Sequence, residues 1–366
     1  MDMLRPPLPN AWGFGITCDN VNEALPLGLD LVKSHGRPFW SRGKETLEVP
    51  GPVSTVYRNP TRRVLFDEER DANPFFHLME SLWIIAGSNR VELPKFFLGS
   101  ITNFSDDGKT FHGAYGYRLR HWPDTEMSVR GETTDQIDQV INLLRDKPDT
   151  RQAVLSIWNP HLDLGATTKD TPCNDMIMLQ VRDGYLHMTV NNRSNDVIWG
   201  AYGANAVQFS MLQEFIAVMV GVEVGYYTQQ SNSYHVYPDN PFWQKYIAGN
   251  HDSGHVHNPY MTEEVQPWPI ALTPQEAGQF YSDCRDLDSS AQVGTLGSRH
   301  TRPSWRSPFF RQNVEMALEG YTLFKEGDYE KSMLFLQNMS APDWRLAMVQ
   351  WVLRRQERAA LKGGAL

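Results

Sequence analysis

Cys173 follows Pro172, and twenty positions further on the chain reads Arg193-Ser194-Asn195-Asp196. Between them lie a run of strand-forming residues, Asp183-Gly184 and a second such run, the pattern of a hairpin whose two ends return to one another. A thiol held beside a guanidinium is favoured as thiolate, the form that attacks electrophilic carbon. A small buried hydrophobe is the ordinary fate of an isolated cysteine. The cationic corner opposite Cys173 argues for a nucleophile instead.

The elements that must hold these groups are legible from periodicity. Thr46 to Val49 and Val53 to Tyr57 read as strands. From Asn73 the pattern turns helical, with Pro74 in the first turn, Phe75, Leu78, Met79, Leu82 and Trp83 at helical spacing, and Gly87 as a stop. Glu80 lies next to that apolar stripe and is expected to point inward. A second helix follows Thr134, where Ile137, Val140, Ile141 and Leu144 share one face. Ala153 to Trp158 reads as a buried strand, Met176 to Val181 and Tyr185 to Val190 as the hairpin, and Phe209 to Met219 as the longest central helix. Gly225 to Tyr237 reads as one further strand. After Pro241 a loop is expected, and from Pro274 mostly helix, with segments at Phe309 to Phe324 and Tyr329 to Arg355.

Composition bounds the partners. With 366 residues, 41% hydrophobic, 11% aromatic and 21% charged, the chain can bury a large core. A formal net charge of −9 argues against broad binding to nucleic acid or anionic membranes, while leaving room for one local phosphate site. Three widely spaced cysteines, Cys18, Cys173 and Cys284, form neither a disulfide framework nor a metal knuckle. With no secretory leader and no long apolar run, a cytoplasmic protein is expected. His251, His255 and His257 sit in a Gly- and Pro-containing loop without helical ligand spacing, so no metal is expected.

The order of these pieces resembles the thymidylate synthase superfamily, which includes the deoxypyrimidine monophosphate hydroxymethylases. The resemblance runs from Ser41-Arg42-Gly43 through Glu80, Tyr115-Gly116, Arg151 and Ser156-Ile157-Trp158-Asn159 to Cys173, Arg193 to Asp196, Asn205 and His235-Val236-Tyr237. It implies that Cys173 adds to C6 of a pyrimidine nucleotide, making C5 a nucleophile toward the methylene carbon of 5,10-methylenetetrahydrofolate. Glu80 would be the general acid/base near O4, and Tyr115 would assist proton loss from C5. Phosphate would fall to Arg193 and Ser194, with Arg42 from a loop and Arg151 from a partner subunit, so a homodimer is implied. For Arg42, a solvated surface charge is an equally good account. Asn205 would read the base, its amide matching O4 and N3–H of uracil, or could cap the helix that follows it. His235 and Tyr237, two apart on one strand face, would bind the 3′-hydroxyl. Asp196 and the aromatic Phe104 would contact folate.

Several positions depart from the family pattern. Gln152 replaces a second Arg after Arg151, the segment ending at Asn205 is one residue longer, and Asn174 takes the catalytic position where a His usually follows the Cys. The segment Ile101 to Gly108 holds Phe104 but no Trp, and a helical tail replaces the closing C-terminal strand. These changes point to a wetter site, and water rather than hydride at the exocyclic methylene gives a hydroxymethyl product.

The expectation is an α/β (α+β) fold with a large mixed sheet and flanking helices, comprising a catalytic domain at 1–270 and a helical extension at 271–366. Its expected function is (deoxy)uridylate 5-hydroxymethylation with methylenetetrahydrofolate. Thymidylate synthase, deoxycytidylate hydroxymethylase and a retired nucleotide-binding subunit stay open as alternatives.

Overall fold

The computed structural model describes residues 13–41, 43–123, 133–249, 257–298 and 300–363. Its centre is a mixed six-stranded sheet in the order Phe14–Cys18, Val53–Tyr57, Glu223–Ser231, Tyr185–Asn192, Asn174–Arg182 and Val154–Ser156. The expected hairpin forms its middle, with Val181 opposite Leu186 and Asp183 and Gly184 at φ 51° and 81° in the turn. A register shift between Asn174 and Met176 bends the strand directly after Cys173.

Alternation sorts the two faces of this sheet. Ile177, Leu179, Val181, Leu186, Met188 and Val190 are buried on one face. The helix Asn205–Val220 packs on that side, where Gln213 donates to the Leu186 carbonyl at 2.8 Å and to Tyr226 O at 3.1 Å, beside the irregularity between Val224 and Tyr227. On the other face Val154, Met176, Met178 and Tyr226 are exposed. An apolar sheet face open to water is unusual for a lone chain.

The helix Pro74–Ala86 is started by Asn73, whose side chain accepts from Phe76 N–H at 3.1 Å. It is buried on nearly every side, because the helices Asn205–Val220, Tyr115–Arg120 and Pro274–Gln292 all pack against it. Gly116 allows the Tyr115–Arg120 crossing: a Cβ there would stand 2.1 Å from the Ile84 carbonyl oxygen.

A smaller sheet, in the order Asn195–Asp196, Tyr234–Val236, Lys44–Glu48 and Arg37–Ser41, sits beside the first. It corrects the reading of Gly225 to Tyr237 as one strand. The chain leaves the main sheet after Ser231, where Asn232 N–H donates to Asn192 O at 2.8 Å and Ser233 N–H to Arg193 O at 3.2 Å, and His235 then pairs with Asp196. The buried strand expected at Ala153 to Trp158 is only Val154–Ser156. Beyond Pro241, where loop was expected, Pro241–Ile247 is helical, started by the Asn240 side chain accepting from Phe242 N–H at 2.9 Å.

The C-terminal part contains the helices Pro274–Gln292, Glu315–Lys325, Tyr329–Leu336 and Pro342–Gly363. The expected single helix from Tyr329 to Arg355 is two, because the chain turns before Pro342, which opens the second. These helices share the core of the rest of the chain. Tyr321 packs 4.7 Å from Phe97 and 5.1 Å from Phe75, and its hydroxyl donates to Phe97 O at 2.9 Å. The Asp71 carboxylate is gripped by Arg354 at 3.0 Å, Arg355 at 2.5 Å and Arg358 at 2.8 Å from the last helix. Among the described residues, no helix is long and apolar enough to cross a membrane.

Candidate active site

The hairpin returns its ends to each other: Arg193 N–H donates to Cys173 O at 2.9 Å, and the guanidinium stands 3.8 Å from Cys173 Sγ. A cation at that distance favours a negative sulfur. The same guanidinium donates to Pro172 O at 2.7 Å and Thr171 O at 3.0 Å, so it also shapes the loop that presents the thiol. Asp175, beside Arg193, is pushed up to about 6 by burial, with the Arg193 charge opposing.

Cys173 opens into a cavity of about 310 Å³. Glu80 and Tyr115 line it from two crossing helices, Ser194 and Asp196 from the far end of the hairpin, and Asn205 from the central helix. His235 and Tyr237 complete that wall, their rings 5.4 Å apart, and Phe104 stands half-exposed at the mouth.

Burial governs the electrostatics. It pushes the Glu80 carboxyl up to about 7, against a hydrogen bond donated by Gln208 Nε2 to Glu80 Oε2 and with the charge of Asp170 adding to the rise. It raises Tyr115 well above the usual phenol range, and it raises Asp196 although His235 and Arg70 oppose. Glu80 is therefore poised to hold or release a proton near neutral pH.

Asn205 is not a helix cap. It has helical φ/ψ of −63° and −37° and continues a π-helical stretch, Val197–Ala204, into the central helix. A π-helical turn absorbs an inserted residue without ending a helix, which accommodates the extra residue of this segment. Asp196 caps that stretch, Oδ1 accepting from Ile198 N–H at 2.7 Å and Trp199 N–H at 3.0 Å.

An amide relay orients Asn205. Its Nδ2 donates to Asn195 Oδ1 at 3.1 Å, Asn195 Nδ2 donates to Gln229 Oε1 at 3.1 Å and Ser231 Oγ at 2.9 Å, and Gln229 Nε2 donates to Ala201 O at 2.8 Å. Each donor is spent in one direction, so Asn205 meets the cavity with its amide in one orientation.

Asn174 and Arg151 lie apart from the cavity. Asn174 is fully buried and donates to Asn192 within the sheet, because alternation turns it to the face opposite Cys173. Arg151 is exposed and does not line the cavity. Arg42, His251 and His255 lie outside the described residues; His257 Nε2 stands 2.9 Å from the Glu264 carboxylate.

Sequence reasoning missed Gln208, Trp83, Trp199 and Asp170 among the lining residues. Gln208 follows Asn205 by three positions on one helix face, a spacing that marks it as a neighbour. Trp83 and Trp199 supply aromatic wall in place of the Trp lacking from Ile101 to Gly108, and Arg70 stacks 4.2 Å from the Trp199 ring. Asp170 enters three residues before Cys173, with no local signal to reveal it.

Residues 72–269 match the thymidylate synthase family model. A deoxyuridylate hydroxymethyltransferase of Pseudomonas phage M6 is 40% identical over 92% of this chain and 93% of its own length. The chain belongs to the thymidylate synthase family. Another deoxyuridylate hydroxymethyltransferase, of Bacillus phage SP01, is 42% identical over 58% of this chain and 56% of its own length. A putative thymidylate synthase of Methanosarcina acetivorans is 31% identical over 61% of this chain and 88% of its own length. Thymidylate synthase family members are one-carbon transferases, and this chain is one. The similarity to the M6 protein covers 92% of this chain, well beyond the segment matched by the family model.

Proposed function

We propose that the protein is a deoxyuridylate 5-hydroxymethyltransferase that uses 5,10-methylenetetrahydrofolate and water. The observation that carries the reading is a relative of that name, matched over nearly the whole of both chains, together with a cavity in which one thiol faces acid, amide and imidazole groups.

In this reading Cys173 Sγ adds to C6 of dUMP, and the charge that develops at O4 meets the Asn205 amide and Glu80. C5 takes the methylene carbon from the co-substrate, whose ring system suits the half-apolar mouth at Phe104, Ile101 and Trp199 and the Asp196 carboxyl. Glu80 and Tyr115 remove the C5 proton, tetrahydrofolate leaves, water adds to the exocyclic methylene, and C6 expels the thiolate. Arg193 and Ser194, with Arg42, would bind phosphate, and His235 and Tyr237 the 3′-hydroxyl. The open face with Val154, Met176, Met178 and Tyr226 supports a homodimer packed sheet to sheet, with Arg151 offered to the partner's phosphate site. The catalytic part would end near residue 270.

Trp83 and Trp199 favour a second reading, reductive methylation, because aromatic walls exclude water. Incubation with dUMP or dCMP and methylenetetrahydrofolate separates the two. A mass gain of CH2O without dihydrofolate supports hydroxymethylation and identifies the base. A gain of CH2 with dihydrofolate makes the enzyme a thymidylate synthase. Cys173→Ser should abolish turnover while keeping nucleotide affinity; an unmodified nucleotide bound equally by wild type and variant would indicate a binding subunit.

A further inference from the structure

We propose that Asp170 is the base that takes the proton from the water adding to the exocyclic methylene, a step separate from the proton transfers of Glu80 and Tyr115. The inference rests on the hydroxymethyltransferase reading above.

Asp170 lines the cavity together with Cys173, Glu80 and Tyr115. Its loop is locked in place: Gly113 N–H donates to Asp170 Oδ2 at 2.8 Å, and a Cβ on Gly113 would stand 2.6 Å from the Asp170 carbonyl oxygen. Among the described residues no hydrogen bond engages Oδ1, so one carboxylate oxygen is fixed and the other is available to a water in the cavity.

The surrounding charges suit a base. Burial raises Asp170, while the Gly113 N–H, His112 and Arg118 hold it down and Asp106 adds to the rise. Glu80 and Tyr115 face the same space from the two crossing helices, and Cys173 ends the same loop. Two carboxyls in one pocket cannot both ionise freely. Glu80, committed to Gln208 and held near 7, suits the acid role at O4, which leaves the second carboxyl, Asp170, for a separate proton transfer.

The step balances. As the water oxygen bonds to the methylene carbon, its proton passes to Asp170 Oδ1 and the electron pair of the exocyclic double bond moves to O4. That enolate then collapses to restore C5=C6 and expels the Cys173 thiolate from C6. No oxidant or reductant is needed.

The test is Asp170→Asn, assayed with C5-tritiated dUMP and methylenetetrahydrofolate beside the wild type. Single-turnover tritium release, which reports the shared earlier steps, should stay within about threefold, while hydroxymethyl product falls at least about 100-fold. Added 2-mercaptoethanol should then capture the methylene as a thioether on C5. Unchanged hydroxymethyl formation would overturn the role of Asp170, and so would equal loss of tritium release and product in a folded, dUMP-binding variant. Asp170→Ala read by the same two assays serves if the Asn variant does not fold. A methyl product with dihydrofolate from the wild type would instead overturn the hydroxymethyltransferase reading.

Discussion

Gln208 and Glu80 face each other across two buried helices, and the Gln208 amide donates to a carboxyl that burial has raised to about 7. The hydrogen bond lowers this value and desolvation raises it, so deleting the donor moves it further up. Gln208→Leu should shift the limb of the kcat/KM profile near neutral pH to higher pH, a limb that Glu80→Gln should abolish. A limb at the same pH in Gln208→Leu would assign it to another group.

The same shift has a stability consequence. Glu80 titrates higher in the folded state than its ordinary 4.5, so the fold is penalised progressively as pH rises from about 4.5 through about 7. The penalty is up to about 3 kcal/mol at pH 8. Glu80→Gln should therefore raise Tm relative to wild type at pH 8, with little difference at pH 4.5, even as activity is lost.

Asn205 hands one N–H to Asn195 Oδ1, and Asn195 cannot turn without losing Gln229 and Ser231. An Asp in its place would keep that bond only by protonating, leaving an acceptor for a cytosine amino group. Asn205→Asp should lower kcat/KM for dUMP at least about 100-fold and raise it for dCMP. Parallel steady-state assays with both nucleotides measure the switch.

Gly116→Ala places a methyl group against the Ile84 backbone, which has no flexible end to move aside. The helix carrying Tyr115 must then shift from the helix carrying Glu80. A loss of about 1–3 kcal/mol in chemical denaturation is expected, together with reduced turnover.

Asp71 is held down because the hydrogen bonds and charges of Arg355, Arg358 and Arg354 outweigh desolvation. Its stabilisation is present above the ordinary carboxylate value and is lost as pH falls through the lowered one. Asp71→Asn, which suits the positive φ of 49° at this position, should cost about 1–2 kcal/mol near pH 7 and little at pH 2. Tm against pH for both proteins checks this.

Much of the site was legible as local pattern. The turn at Asp183-Gly184 implied a hairpin, and a hairpin brings Cys173 to Arg193 whatever surrounds it. Helical spacing implied that Glu80 faces inward, and the tertiary structure adds the reason it matters: burial, opposed by the Gln208 amide and reinforced by the Asp170 charge, sets its proton affinity. Helix and strand boundaries failed where one signal served two outcomes. Gly225 to Tyr237 reads as one strand from its Tyr, Thr and Ser content, and the long-range bonds of Asn232 and Ser233 to the hairpin split it between two sheets.

The sequence by itself determined the hairpin that brings Cys173 to Arg193 and the family order of motifs, because these depend on residue type and short-range spacing. Tertiary structure alone decided that Asp170 enters the cavity, that Asn174 leaves it, that two distant tryptophans wall it, and that a buried relay orients Asn205. Those outcomes depend on the packing of segments far apart in the chain and on the desolvation it imposes, which no local pattern of residue types encodes.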